Sequence, residues 1–141
     1  MSIPALFHFK PSAMKSLLAI QPSASVAILR VAIGLFLAAH GGIRLFTGSV
    51  HLFGGYLDSQ GFMIGNAIAW FLTLFELIGG LTMAVGFFIP YIAIIFMIEL
   101  TMGIIMVHAQ NGWFVVGYQS GGVEYSVFLL VCLFIIATCK R

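Results

Sequence analysis

Charge is what this sequence has least of. Only 7% of its 141 residues are Asp, Glu, Lys or Arg, whereas a soluble domain carries about 25%. With 62% of the residues hydrophobic, there is too little polar side chain to cover a water-soluble fold. The net charge of +2 comes from basic residues that form no patch able to track phosphates, so nucleic acid is not an expected partner.

Cysteine is scarce too. Cys132 and Cys139 fall on one expected helix, about 10.5 Å apart along its axis, too far to bridge each other. They form neither a CxxC redox pair nor a zinc site. His40 and His108 lack a third ligand, so no metal is expected. No glycine-rich phosphate loop joins a strand to a helix and no serine has a base and an orienter, which excludes nucleotide-binding and hydrolase readings. His8 and His51 read as solvated.

What the sequence does have is long apolar runs. Four reach the length needed to cross a bilayer, from about Ala24 to Phe46, Phe62 to Phe88, Pro90 to Ala109 and Val123 to Cys139. They predict an all-α membrane protein, a four-transmembrane-helix bundle over residues 24–139 with antiparallel neighbours. Residues 1–23, with Lys10, Lys15 and three prolines, read as a cytoplasmic or interfacial tail. Its apolar stretch is too short for a signal peptide and no small-x-small site follows, so the first helix is expected to stay attached.

Ile89-Pro90 predicts a tight turn, since the residue before proline resists helix while proline suits a first helical position. The links over 47–61 and 110–122 are expected to be glycine-rich loops folded over the bundle, with Trp113, Phe114, Tyr118 and Tyr125 at the headgroup level. Lys10 and Lys15 precede the first span, Lys140 and Arg141 follow the last, and the turn at 89–90 is uncharged. The positive-inside bias therefore predicts that both termini are cytoplasmic and both long links lie outside.

Glu76 and Glu99 stand near mid-span, where an ionised group costs roughly 2.5 to 3.5 kcal/mol. They must be neutral, paired or wet, and they are candidate proton carriers; the alternative is plain helix packing with each carboxyl bonded to backbone. Each heads the pattern Glu-Leu-x-x-Gly, ending at Gly80 and Gly103, which predicts that both glycines face a shared interface and let the carboxyls meet. Arg30, Gly34, Leu37, His40, Gly41 and Arg44 fall within an arc of roughly 120° on the first helix. Arg30 is expected to snorkel inward.

His40, Arg44, His108, Asn111, Trp113, Glu124 and Tyr125 are expected together at the outer level. There they would form a ligand-binding cluster, or else a set of loop-fixing bonds with an Arg44–Glu124 ion pair. Glu99 and His108 should point apart, being nine residues separated, about 180° on an ideal helix.

Over roughly residues 25–138 the chain resembles the DoxX family of small bacterial inner-membrane proteins. The motifs that carry the resemblance are Arg30-Val-Ala-Ile-Gly34 with His40-Gly41-Gly42-Ile-Arg44, Glu76-Leu-Ile-Gly79-Gly80 with Gly86-Phe87, Gly103 to His108 with Asn111-Gly112-Trp113, and Gly122-Val-Glu124-Tyr125. The resemblance implies a bacterial inner membrane and a link to quinone-dependent or sulfur-linked oxidoreduction and oxidative stress. No flavin, haem or other cofactor signature is present, so electrons would pass through a bound quinone or a redox partner protein.

The expected function is thus a redox-linked accessory subunit, a non-autonomous part of a quinone-linked oxidoreductase. It would hold a quinone headgroup or small sulfur species. The alternatives are a small proton-coupled carrier, which four helices would favour as a homodimer, and a membrane anchor for a partner enzyme.

Overall fold

The computed structural model describes residues 22–116 and 121–139. Helix α1 runs over Pro22–Phe46, α2 over Val50–Ser59, α3 over Gly65–Val85, α4 over Ile89–Gly103 and α5 over Glu124–Thr138. Helix α4 continues through a π turn, Ile104–His108, and a 3-10 turn, Ala109–Asn111. The described residues contain no strand.

Three segments, Ser23–Phe46, Gly65–Val85 and Ile89–Asn111, are long and apolar enough to cross a membrane, and Glu124–Thr138 is a shorter apolar helix. Their outward faces carry Leu35, Phe36, Phe71, Ile78, Ile98, Ile105, Phe128 and Phe134, all exposed. Such a surface is stable against hydrocarbon and not against water. The tail of residues 1–21 and the four residues 117–120 lie outside the described part.

Two closely packed helix pairs make the bundle. Helices α1 and α3 run antiparallel through small residues. A Cβ placed on Gly34 would fall 2.6 Å from the Gly80 carbonyl oxygen, and one on Gly41 would strike the Thr73 carbonyl. Between lipid-soluble helices such close backbone approach supplies the packing that hydrophobicity cannot. Gly80 therefore faces α1, against Gly34 and Ala38, and Gly103 has open space around it; the expected glycine seam between the second and third spans does not form.

Helices α4 and α5 pack through Ile92, Ala93 and Phe96 against Leu129, Cys132, Leu133 and Ile136. The α3–α4 turn uses Gly86 at φ 111° and Phe88 at φ 51°, with Pro90 in the first turn of α4.

The link over 47–61 is not the loop expected. Most of it is α2, because Val50, Phe53, Gly54 and Leu57 recur at helical spacing and give it one apolar face. Val50 and Leu57 bury with Ala69, beside Leu45, Ile68 and Met106, so α2 lies across the ends of α1, α3 and the α4 continuation. Asp58 Oδ1 accepts the Gly65 amide at 2.7 Å, satisfying one of the orphan amides at the start of α3 with a favourable negative charge. The Tyr56 hydroxyl donates to the Met106 carbonyl at 3.1 Å, a backbone oxygen in the π turn.

Candidate functional site

Beneath α2 lies a polar cluster in otherwise apolar surroundings. Arg44, two residues from the end of α1, reaches across to the middle of α3. Its Nη1 donates to Glu76 Oε2 at 2.8 Å and its Nη2 to Glu76 Oε1 at 3.2 Å, the two-pronged geometry that makes arginine–carboxylate pairs strong. Nη1 also donates to Thr73 Oγ1 at 3.1 Å. The Arg44 and Glu76 side chains are 19% and 11% exposed, so little water screens the pair.

The Phe53 ring of α2 covers the guanidinium, 4.5 Å from its carbon to the ring centre, a cation–π contact that helps hold a cation away from water. Thr73 and Glu76 share a face because they stand three residues apart on α3.

Glu99, from α4, brings its carboxyl up against that of Glu76 and within the field of Arg44. Its Oε2 is buried with no hydrogen-bond partner among the described residues. Phe75 and Phe96, with ring centres 4.9 Å apart, neighbour these glutamates in sequence and pack α3 on α4. The site therefore contains one guanidinium, two carboxyls, a hydroxyl and an unused acceptor, roofed by an aromatic ring.

The other expected ligand residues do not join it. Glu124 does not pair with Arg44. Its Oε1 accepts the Val115 amide at 2.9 Å, and its own amide donates to the Trp113 carbonyl at 3.0 Å. A carboxylate in the first turn of α5 is favoured there by the helix dipole. His108 Nδ1 lies 2.8 Å from the Gly121 carbonyl, and the Asn111 amide donates to the same oxygen at 3.4 Å.

Together these bonds tie residues 112–115 to 121–124, so His108, Asn111 and Glu124 fix the loop, the alternative left open by the sequence. Trp113 and Tyr125 are exposed, 54% and 42%, and His40 lies on the exposed side of α1. The π turn after Gly103 resets the phase of the helix between Glu99 and His108, and the two remain in separate environments.

Arg30 lies at the far end of α1 from this cluster. It turns toward the end of α3, where Nη2 reaches the Ala84 carbonyl at 3.4 Å. Among the described residues no group of three or more His, Cys, Asp or Glu side chains could hold a metal.

One contributor was not legible in the sequence. Phe53 carried no signal, being one aromatic in an apparent loop. Thr73 did carry one, a polar residue one turn before Glu76 in an apolar run. Among known protein families, the model of the DoxX family matches residues 25–109, which takes in α1 to α4 and the π turn. No curated protein and no solved structure matches the chain.

Proposed function

The chain belongs to the DoxX family, and from that premise we propose that it is a redox-linked accessory subunit of a bacterial inner membrane whose Arg44–Glu76–Glu99 cluster receives a polar ligand. The ligand class is a quinone headgroup or a small sulfur species. The observation that carries this reading is the buried Glu99 Oε2, which has no hydrogen-bond partner among the described residues beside a charge-paired Arg44 and Glu76. A buried acceptor left unbonded is costly, and a proton or a ligand group removes that cost.

Charge balance sets the role of each residue. One guanidinium neutralises one carboxylate, and a second ionised carboxylate in so dry a place would stand uncompensated. One of the two carboxyls is therefore proposed to hold a proton at neutral pH, and Glu99, which Arg44 does not bond, is the candidate. A quinone reduced by two electrons takes up two protons: a protonated Glu99 can supply one to a ring oxygen that the neighbouring guanidinium polarises, and the second comes from water. The electrons come from a redox partner protein, since the chain carries no cofactor signature.

Infrared difference spectra across a pH series test the assignment. A protonated carboxyl band is expected at neutral pH and should vanish in Glu99→Gln while surviving in Glu124→Gln. A parent protein without the band would rule the proposal out.

A second reading is a proton-coupled carrier. It is favoured by the depth of the pair, with Glu76 midway along Gly65–Val85 and Glu99 midway along Ile89–Asn111, the level at which carriers hold their coupling ions. Proton flux into vesicles containing only this protein would select it.

In either case the three long helices and Glu124–Thr138 together make four spans, with α2 outside and both termini cytoplasmic, as the basic residues at the chain ends direct. With Cys139 replaced by Ser, an impermeant thiol reagent should label Gln60→Cys in intact cells and leave Phe87→Cys unlabelled. The reverse pattern would invert the topology.

A further inference from the structure

Arg30 lies fourteen residues before Arg44, about 21 Å away along α1, at the level of the α3–α4 turn. It lines a hollow of about 270 Å³ with Ser23, Val26, Ala27, Ile89, Ile136 and Cys139. A second hollow of about 340 Å³ adjoins it, sharing Ile136 and Cys139 and bounded by Phe88, Pro90, Tyr91 and Ala137.

The guanidinium is poorly satisfied. Its Nη2 makes one long bond, 3.4 Å, to the Ala84 carbonyl, and its Nε is buried with no hydrogen-bond partner among the described residues. Gly86 leaves room beside it, since a Cβ there would come within 3.2 Å of Nη1.

No acidic side chain is left to neutralise this charge. The sequence has four Asp and Glu residues. Asp58 binds the Gly65 amide, Glu76 binds Arg44, Glu99 faces Glu76 and Glu124 binds the Val115 amide. A partly buried guanidinium whose Nε is buried and unpartnered among the described residues, with every acidic side chain engaged elsewhere, favours an anion from outside the chain.

The geometry points to an anionic phospholipid bound here, its phosphate on Arg30 and an acyl chain along Ile136, Phe88 and Tyr91. Arginine suits phosphate because its planar fork gives parallel donors to two oxygens. Basic pockets between membrane helices hold acidic headgroups for this reason. The level fits as well: α3 ends and α4 begins beside Arg30, where the headgroups of one leaflet meet the protein. The mostly hydrocarbon lining of the hollow beside Arg30 favours a lipid over a free phosphate ion.

Native mass spectrometry and thermal unfolding of the detergent-purified chain, with added phosphatidylglycerol, phosphatidylcholine of the same acyl chains, or inorganic phosphate, test this. Phosphatidylglycerol should be retained and should raise the unfolding temperature, with phosphatidylcholine weaker by about fivefold in apparent affinity. Arg30→Ala should abolish the difference between the two lipids. Ala27→Trp, which fills the hollow and keeps the charge, should reduce retention of phosphatidylglycerol without unfolding the protein. Equal retention of both lipids by the parent, or full retention in Ala27→Trp, would overturn the proposal. Protection by inorganic phosphate equal to that by phosphatidylglycerol would overturn the lipid assignment.

Discussion

Truncating Arg44 to alanine should lower the stability of the folded protein by about 3 to 5 kcal/mol, the usual consequence of removing one partner of a buried ion pair. The loss goes beyond the pair itself. Without the guanidinium, the Glu76 carboxylate, 11% exposed, loses the two hydrogen bonds that Arg44 donates, Thr73 Oγ1 loses its donor, and Glu99 loses the nearby positive charge. Phe53 then covers an empty space.

Glu76→Ala should be comparably damaging, because it leaves the cation unpaired. The double variant should lose clearly less than the sum of the two, and Arg44→Met with Glu76→Leu, which removes both charges but keeps the volume, should recover much of the stability. Urea or thermal unfolding in detergent measures all four. Arg44→Ala combined with Glu124→Ala should be additive, since those residues have different partners. Additivity in the Arg44–Glu76 cycle, or coupling in the Arg44–Glu124 cycle, would mean that the ion pair is misassigned.

The second large effect is expected at Gly41. A Cβ there would run into the Thr73 carbonyl and lie 2.8 Å from the Leu77 amide, both rigid backbone atoms of a neighbouring helix. Gly41→Ala should therefore cost about 1 to 3 kcal/mol by overpacking, and Gly41→Leu should separate α1 from α3 and prevent folding.

Its neighbour Gly42 meets only the end of the Leu77 side chain at 3.7 Å, and Gly103 meets nothing within 4 Å. Alanine at either should be neutral or mildly stabilising, because alanine favours helix over glycine by about 1 kcal/mol. The contrast is the test, since it separates a steric requirement from a general dislike of substitution in a membrane helix. Equal tolerance at Gly41 and Gly42 would place the α1–α3 contact elsewhere. Gly41→Ala should also loosen the Arg44–Glu76 pair, because that closeness of backbones brings Arg44 within reach of α3.

The sequence by itself determined that this is a helical membrane protein, since that follows from local quantities. Apolar run length sets what can cross, and a backbone without water must bond within its own helix. It also determined that Glu76 and Glu99 sit at similar depth, because counting residues from one tight turn measures depth on two antiparallel helices.

The tertiary structure decided which faces meet. Periodicity says that Arg44 is on a stripe with Gly34 and Gly41 but not which helix that stripe packs against, and the partner proved to be α3, so Arg44 found Glu76 and left Glu124 to the loop. Helix α2 was hidden for a related reason. Its ten residues include two glycines and only a short apolar face, too little to hold a helix alone, and the helix exists because α3 and the end of α4 offer Ala69, Ile68 and Met106 to bury that face. Local composition fixes what each segment can be, whereas contacts between segments depend on register and neighbour order, and those are settled only when backbones approach closely enough for a single methyl group to matter.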